Sequence, residues 1–262
     1  LQLYYDFSGY SDMAIGLGCI LNIRLPMNFN SPYRATNIID FWRCWHITLS
    51  RFLRDYLYIP LGGSRVGGKV RRYGNLMVTM LIGGLWHGAG WNFVFWGGLH
   101  GAYLLVNHAW RNNVDPPGGQ LPWVVAKAKN GTYWLITFIA VCVAWVFFRA
   151  VTFEGAFEIL KGMAGLNGFV LPNQIISFIP MADKLLFLAG TGTMPLLGGG
   201  TVLGAVEQVC MTCLFLCVAL FSMNLHAMSD RRRLFILLLS FAFTIQRVFF
   251  SPAPSDFIYF QF

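Results

Sequence analysis

The stretch GGLWHGAGWNFVFWGGLHG, residues 83–101, sets two histidines, three tryptophans and seven glycines inside an otherwise apolar part of the chain. Imidazole takes up and returns a proton near neutral pH, so His87 and His100 raise the prospect of general-base chemistry. A polar side chain at membrane depth costs a few kcal/mol unless it is paired or lines a wet cavity, which makes His87 a functional candidate. Removal from water favours its neutral form, the state a base needs. Gly83, Gly84, Gly88 and Gly90 strip bulk from around it and leave room for an extended substrate to approach. His100 follows thirteen residues later, about 220° round a straight helix from His87, so the two do not form a same-face metal pair.

Other chemistries are excluded by their missing parts. GSRVGGKV (63–70) approaches the phosphate-binding G-x-x-x-x-G-K-[ST] pattern but ends in Val70, without the magnesium-binding hydroxyl, and it follows a helix where that pattern needs a strand. No G-x-S-x-G nucleophile elbow occurs, and no histidine is followed by Asp at the fifth position. Cys210, Cys213 and Cys217 have no second pair or nearby histidine to complete a metal set. They read as small apolar residues of a helix, and no metal is expected.

The second informative stretch is ATNIIDFWRCWHITLSRFLRDYLYIPLGG, residues 35–63. Thr36 or Asn37 caps a helix there, Asp40 falls in its first turn, and Pro60 with Gly62 and Gly63 closes it. At 100° per residue Trp42, Trp45, Leu49, Phe52, Leu53 and Tyr56 form one stripe, opposite Arg43, Arg51, Arg54 and Asp55. Arg and Trp at this spacing suit a helix at the membrane interface. His46 sits at the stripe's edge, balanced between chemistry and packing against a polar partner.

The elements that must position these groups are membrane elements. Of 262 residues 56% are hydrophobic and only 11% charged, against about 25% charged in ordinary soluble domains. Apolar runs at 76–86, 89–109, 133–148, 175–190, 203–225 and 234–250 approach the roughly 20 residues that cross a bilayer. Several are short for a crossing, which predicts tilted, broken or re-entrant helices. NNVDPPGGQLP (112–122) and the glycine-rich 190–204 read as loops. The 19 Lys and Arg against 11 Asp and Glu give a net charge of +8, suited to anionic headgroups, an acidic protein or an anionic polymer; no nucleic-acid partner is expected. Lys69, Arg71 and Arg72, with Arg231, Arg232 and Arg233, mark the cytoplasmic side by the positive-inside rule. His108 and His226 lie near segment ends and read as interfacial. Leu1 follows no visible leader, so residues 1–262 are expected to be one membrane-embedded unit, the C-terminal part of a longer chain.

Four stretches together carry a resemblance: YYDFSGYSDMAIGLG (4–18), residues 28–63, residues 83–101 and the terminal PSDFIYFQF (254–262). In this order they resemble the membrane-bound O-acyltransferase family, in its bacterial branch of alginate and polysaccharide O-acetylation. The resemblance implies an all-α polytopic membrane fold in which tilted and re-entrant helices surround a tunnel. It implies residence in the bacterial cytoplasmic (inner) membrane. It also implies transfer of an acetyl group from a thioester donor on the cytoplasmic side, acetyl-CoA or an acyl carrier protein, with no bound cofactor. The acceptor would be an exported polysaccharide, and the partner an extracytoplasmic acetyltransferase. The family's W-H-G histidine falls on His87, as the catalytic residue, and its F-W-x-x-W-H histidine on His46, as the supporting one. Trp86, Asn92, Trp45, His100, Arg54 and Asp55 are candidates to line the tunnel, with Asn92 or a tryptophan as donor to a developing oxyanion. Two other readings stay open: a conduit that performs no chemistry, and D-alanyl transfer to teichoic acid by the same family.

Overall fold

The computed structural model describes residues 1–65, 67–114, 122–167, 170–172, 192–194 and 202–221. Its elements are α1 (Gln2–Ile20), a 3-10 turn at Pro32–Arg34, α2 (Ile38–Cys44), α3 (Ile47–Leu53) continued by a π turn at Arg54–Tyr58, and α4 (Gly68–His87). They continue as α5 (Trp91–Asn113), α6 (Trp123–Arg149), α7 (Phe153–Met163), two three-residue strands, β1 (Val170–Pro172) and β2 (Gly192–Met194), and α8 (Val202–Phe221). Regular structure among the described residues is therefore helical except for one short parallel pair, Val170 to Gly192 through Pro172 to Met194. That pair places three residues of the expected 190–204 loop in a strand. The expected spans at 175–190 and 234–250, the 231–233 arginines, His226 and the 254–262 terminus lie outside the described residues.

The helix expected over 35–63 is two helices. Its start is as read: the Asn37 side-chain oxygen accepts from the Asp40 N–H at 3.0 Å, and the Asp40 carboxylate in turn accepts from the Arg43 guanidinium at 2.9 Å. The helix then stops at Cys44, because Trp45 is extended and His46 takes a left-handed backbone, φ 41° and ψ 57°. The freed groups are satisfied from a distant segment. The Asn28 backbone carbonyl accepts from Ile47 N–H at 3.0 Å and its side-chain oxygen accepts from the Thr48 hydroxyl at 2.6 Å, while Asn30 N–H donates to Cys44 O. A cap delivered from twenty residues away leaves no local signature, so periodicity alone reads through the break. Beyond the break Leu49 and Leu53 stay buried with Trp42 and Trp45, but Phe52 and Tyr56 are exposed.

α4 and α5 form an antiparallel hairpin joined by Gly88, Ala89 and Gly90. The expected interruption at His87 is thus the turn itself. The two helices meet backbone to backbone at Gly84 and Gly97, where a Cβ on either would lie 3.2 Å from the other's Cα. Small residues at a crossing permit this approach in membrane helices. α6 begins ten residues before the expected 133–148 span and is 27 residues long, about 40 Å at 1.5 Å per residue. Among the described residues it is the helix long and apolar enough by itself to cross a bilayer. Its Val141, Ala144 and Phe148 turn inward onto a core of Phe41, Trp42, Trp45 and Trp96, and the Trp134 indole donates to Tyr33 O at 2.8 Å.

Candidate active site

His87 is the last residue of α4, and Gly88 ends the helix in an extended conformation. The imidazole is half-buried and edge-on to three rings: Trp86 at 5.0 Å between centroids, Trp96 at 5.2 Å and Phe148 at 5.2 Å. A Cβ on Gly88 would meet the Phe93 ring at 2.6 Å, so a larger residue there must displace that ring. At Gly88 the missing side chain leaves space that the Phe93 ring fills, beside the turn that presents His87. Lys69 and His87 lie at opposite ends of α4, about 27 Å apart along its axis.

His46 approaches from the α2–α3 break. Its ring packs on Phe7 of α1 at 4.7 Å and faces Trp86 at 6.4 Å, and Trp86 in turn meets His87 at 5.0 Å, so the two histidines share this tryptophan as a neighbour. His46 Nδ1 is buried without a hydrogen bond among the described residues. The left-handed backbone at this position admits His and Asn but is strained for a β-branched residue. His46→Val is therefore expected to lower stability by about 1–2 kcal/mol, with His46→Asn close to wild type. Thermal unfolding of the detergent-solubilised protein tests this; equal melting of the two variants would mean that the break does not depend on the His46 backbone.

The remaining predicted residues divide. Trp86 joins the site directly but is 60% exposed, so one side of it is open to a partner or substrate. Trp45 is buried and joins through Trp145, at 4.7 Å, which stacks on Trp96 at 5.8 Å. Asn92 is half-buried and its Nδ2 donates to Ala150 O at 2.7 Å, tying the start of α5 to the end of α6. His100 is fully buried behind Trp96, at 4.9 Å. Arg54 and Asp55 stand apart on an exposed turn, paired at 2.7 Å; that bond to Arg54 holds the Asp55 carboxyl below its usual range. His108, near the end of α5, receives Arg72 at 3.1 Å.

Four site residues were not singled out by the sequence: Trp96, Phe148, Trp145 and Phe7. Trp145 and Phe148 are three apart on α6 and so share a face, but within a wholly apolar span that spacing reads as core. An open apolar groove of about 510 Å³ lies beside this assembly, lined by residues that include Leu81, Trp91, Phe95 and Phe153. His87 and His46 are not among its lining residues, so this groove is not the expected tunnel through the site.

The arrangement places one half-buried imidazole at a glycine turn, backed by aromatic rings, with a second imidazole that shares its exposed tryptophan neighbour. It suits proton transfer to or from a hydroxyl brought to the open side of His87. The chain is 57% identical over 170 residues to a protein named peptidoglycan O-acetyltransferase from Helicobacter pylori, covering 65% of this chain and 31% of the relative. It is 48% identical over 194 residues to a probable alginate O-acetylase of Pseudomonas aeruginosa, covering 69% and 35%. It is 32% identical over 115 residues to a teichoic acid D-alanyltransferase of Streptococcus thermophilus, covering 42% and 28%. The chain thus spans about a third of the length of the curated relatives it matches. The model of the membrane-bound O-acyltransferase family matches residues 1–149, which hold His46, His87 and the aromatic cluster between them, and the chain belongs to that family.

Proposed function

We propose that this chain carries the transfer site of a membrane O-acetyltransferase that esterifies hydroxyls of a polysaccharide in the bacterial cytoplasmic membrane, with His87 as general base. The observation that carries the reading is the placement of a half-buried imidazole at the α4–α5 turn within the region matched by the family. The stronger identity to proteins named for acetylating peptidoglycan and alginate favours acetyl transfer to a glycan over D-alanyl transfer to teichoic acid.

In the reaction, a His87 ring nitrogen takes the proton of the acceptor hydroxyl as its oxygen bonds to the thioester carbonyl. The C–S bond then breaks, and the thiolate recovers the proton from His87. Such general-base assistance supplies roughly 10²- to 10⁴-fold. His46 supports the same site through the shared neighbour Trp86. The donor is an acyl thioester, CoA or an acyl carrier protein, approaching from the side of Lys69, Arg71 and Arg72. The polymer meets His87 from the other side, where an extracytoplasmic acetyltransferase partner would receive or extend the product.

A conduit without chemistry is the competing account, and one assay divides the two. The intact protein in lipid vesicles is given labelled acetyl-CoA and glycan oligosaccharide with no other protein. Labelled ester on the glycan is the expected result. Label passing to the far side with no glycan ester would overturn the enzymatic reading.

A further inference from the structure

Two polar tethers fix how α5 lies against α6. The Asn92 side chain donates to Ala150 O at 2.7 Å, and the Trp110 indole donates to the Tyr133 hydroxyl at 3.0 Å, so the two helices run antiparallel. From Asn92 to Trp110 α5 rises about 27 Å, and from Tyr133 to Ala150 α6 rises about 26 Å, at 1.5 Å per residue. The hydrocarbon core of a bilayer is about 30 Å thick, so the tethers mark its two faces. Both levels carry the aromatic and cationic side chains that such faces attract. At one, the Lys129 ammonium lies over the Tyr133 ring, 5.6 Å from its centroid. At the other stand Trp91 and Arg149, the immediate neighbours of Asn92 and Ala150. α7 begins at this second level with Phe153, Phe157 and Leu160 on one side and Glu154, Glu158 and Lys161 on the other, the form of a helix lying in the membrane surface.

The apolar groove of about 510 Å³ starts at the same level. Its lining on α5 recurs every three or four residues from Trp91 to Ala102, which is one face of the helix, and Leu81 and Phe153 wall it. Along the axis that face covers about 16 Å, half the thickness of the hydrocarbon core and therefore the depth of one leaflet. At the mouth Trp91 is 78% exposed. Arg149 is exposed there too, and no carboxylate among the described residues pairs with it. Its backbone is held at the groove, because Phe95 in the lining packs on Phe147 at 4.6 Å and on Phe153 at 5.5 Å, the rings that flank Arg149 in the chain. An apolar trough one leaflet deep, headed by an unpaired cation at the membrane surface, has the chemistry of a phospholipid site. We propose that this groove binds a phospholipid of the leaflet opposite Lys69, Arg71 and Arg72, with one acyl chain laid along α5 from Trp91 to Ala102 and its phosphate at Arg149. The site is separate from the transfer chemistry, so its test needs no acetyl donor.

The intact protein is placed in phosphatidylcholine vesicles with a trace of phosphatidylglycerol bearing a photoactivatable diazirine on its acyl chain, and labelled residues are mapped by mass spectrometry. Ile136 and Ile139, exposed on α6, report contact with bulk lipid. Labelling between Trp91 and Ala102 is expected to exceed that reference by about tenfold, the gain from keeping a few methylenes in the groove. Ala102→Leu and Gly98→Leu fill the trough and are expected to bring groove labelling down to the reference; either suffices if the other fails to insert. Arg149→Gln is expected to lower it about fivefold, the scale of one cation acting on an anionic lipid. A diazirine diacylglycerol, which has the chain without the phosphate, is expected to label the groove as weakly as phosphatidylglycerol labels Arg149→Gln. Groove labelling no higher than at Ile136 and Ile139 would overturn the proposal, whether the groove is then bare or covered by a second copy or another protein segment. Unchanged labelling in the inserted filled variant would overturn it as well, and so would equal labelling by diacylglycerol and phosphatidylglycerol.

Discussion

Cells whose copy of this protein carries His87→Ala are expected to insert it at the wild-type level and to leave their glycan without O-acetyl ester. The two halves of this expectation have different physical grounds. His87 is half-buried at a helix end and makes edge contacts to Trp86, Trp96 and Phe148, each of a kind worth about 0.5–1.5 kcal/mol, so truncation weakens local packing without opening the core. The core proper, built on Phe41, Trp96, Val141 and Ala144, does not contain it. The chemical step, by contrast, loses its proton acceptor and slows by about 10²- to 10⁴-fold. His87→Gln sharpens the point, because it keeps a hydrogen-bonding side chain of similar reach that cannot take up a proton, and it is expected to be as inactive as Ala. Alkali-released acetate from purified glycan, set against the amount of protein in the membrane fraction, measures both. Full acetylation in either variant would remove His87 from the transfer step.

What the sequence made legible was local. The His87 break could be read because glycines and an imidazole interrupt an apolar run, and the structure puts the α4–α5 turn there. Asn37 could be read as a cap because the bond it makes to Asp40 lies three residues away. The α2–α3 break could not, since its stabilising partner, Asn28, arrives from another part of the chain. The same holds for the walls of the site. Trp145 and Phe148 lie on α6, about sixty residues from His87, and nothing in a uniformly apolar helix distinguishes the face that meets an imidazole from the face that meets lipid.

The close approach of α4 and α5 yields the second large effect, and neighbouring glycines provide its control. A Cβ on Gly97 would collide with Met80 O and fall 3.2 Å from the Gly84 Cα. Carbon contacts settle near 3.5 Å, so Gly97→Ala forces the helices apart by roughly 1 Å, against backbone that cannot rotate away as a side chain would. Overpacking of this kind costs about 1–3 kcal/mol. The functional cost is larger, because Trp96 precedes Gly97 directly and His87 lies one turn beyond Gly84, so the strain acts between the ring and the imidazole it supports. A displacement of this size is expected to lower acetyl transfer by about 10²-fold. At Gly98, one residue on, the nearest atom to an added Cβ is Leu81 Cδ2 at 3.5 Å, an ordinary contact with a flexible chain end. Gly98→Ala is therefore expected to transfer at the wild-type rate and to gain up to about 1 kcal/mol in helix propensity. Transfer rates and melting temperatures of the two variants, measured side by side, decide the matter. If Gly97→Ala transfers as well as Gly98→Ala, the spacing of α4 and α5 does not set the geometry at His87.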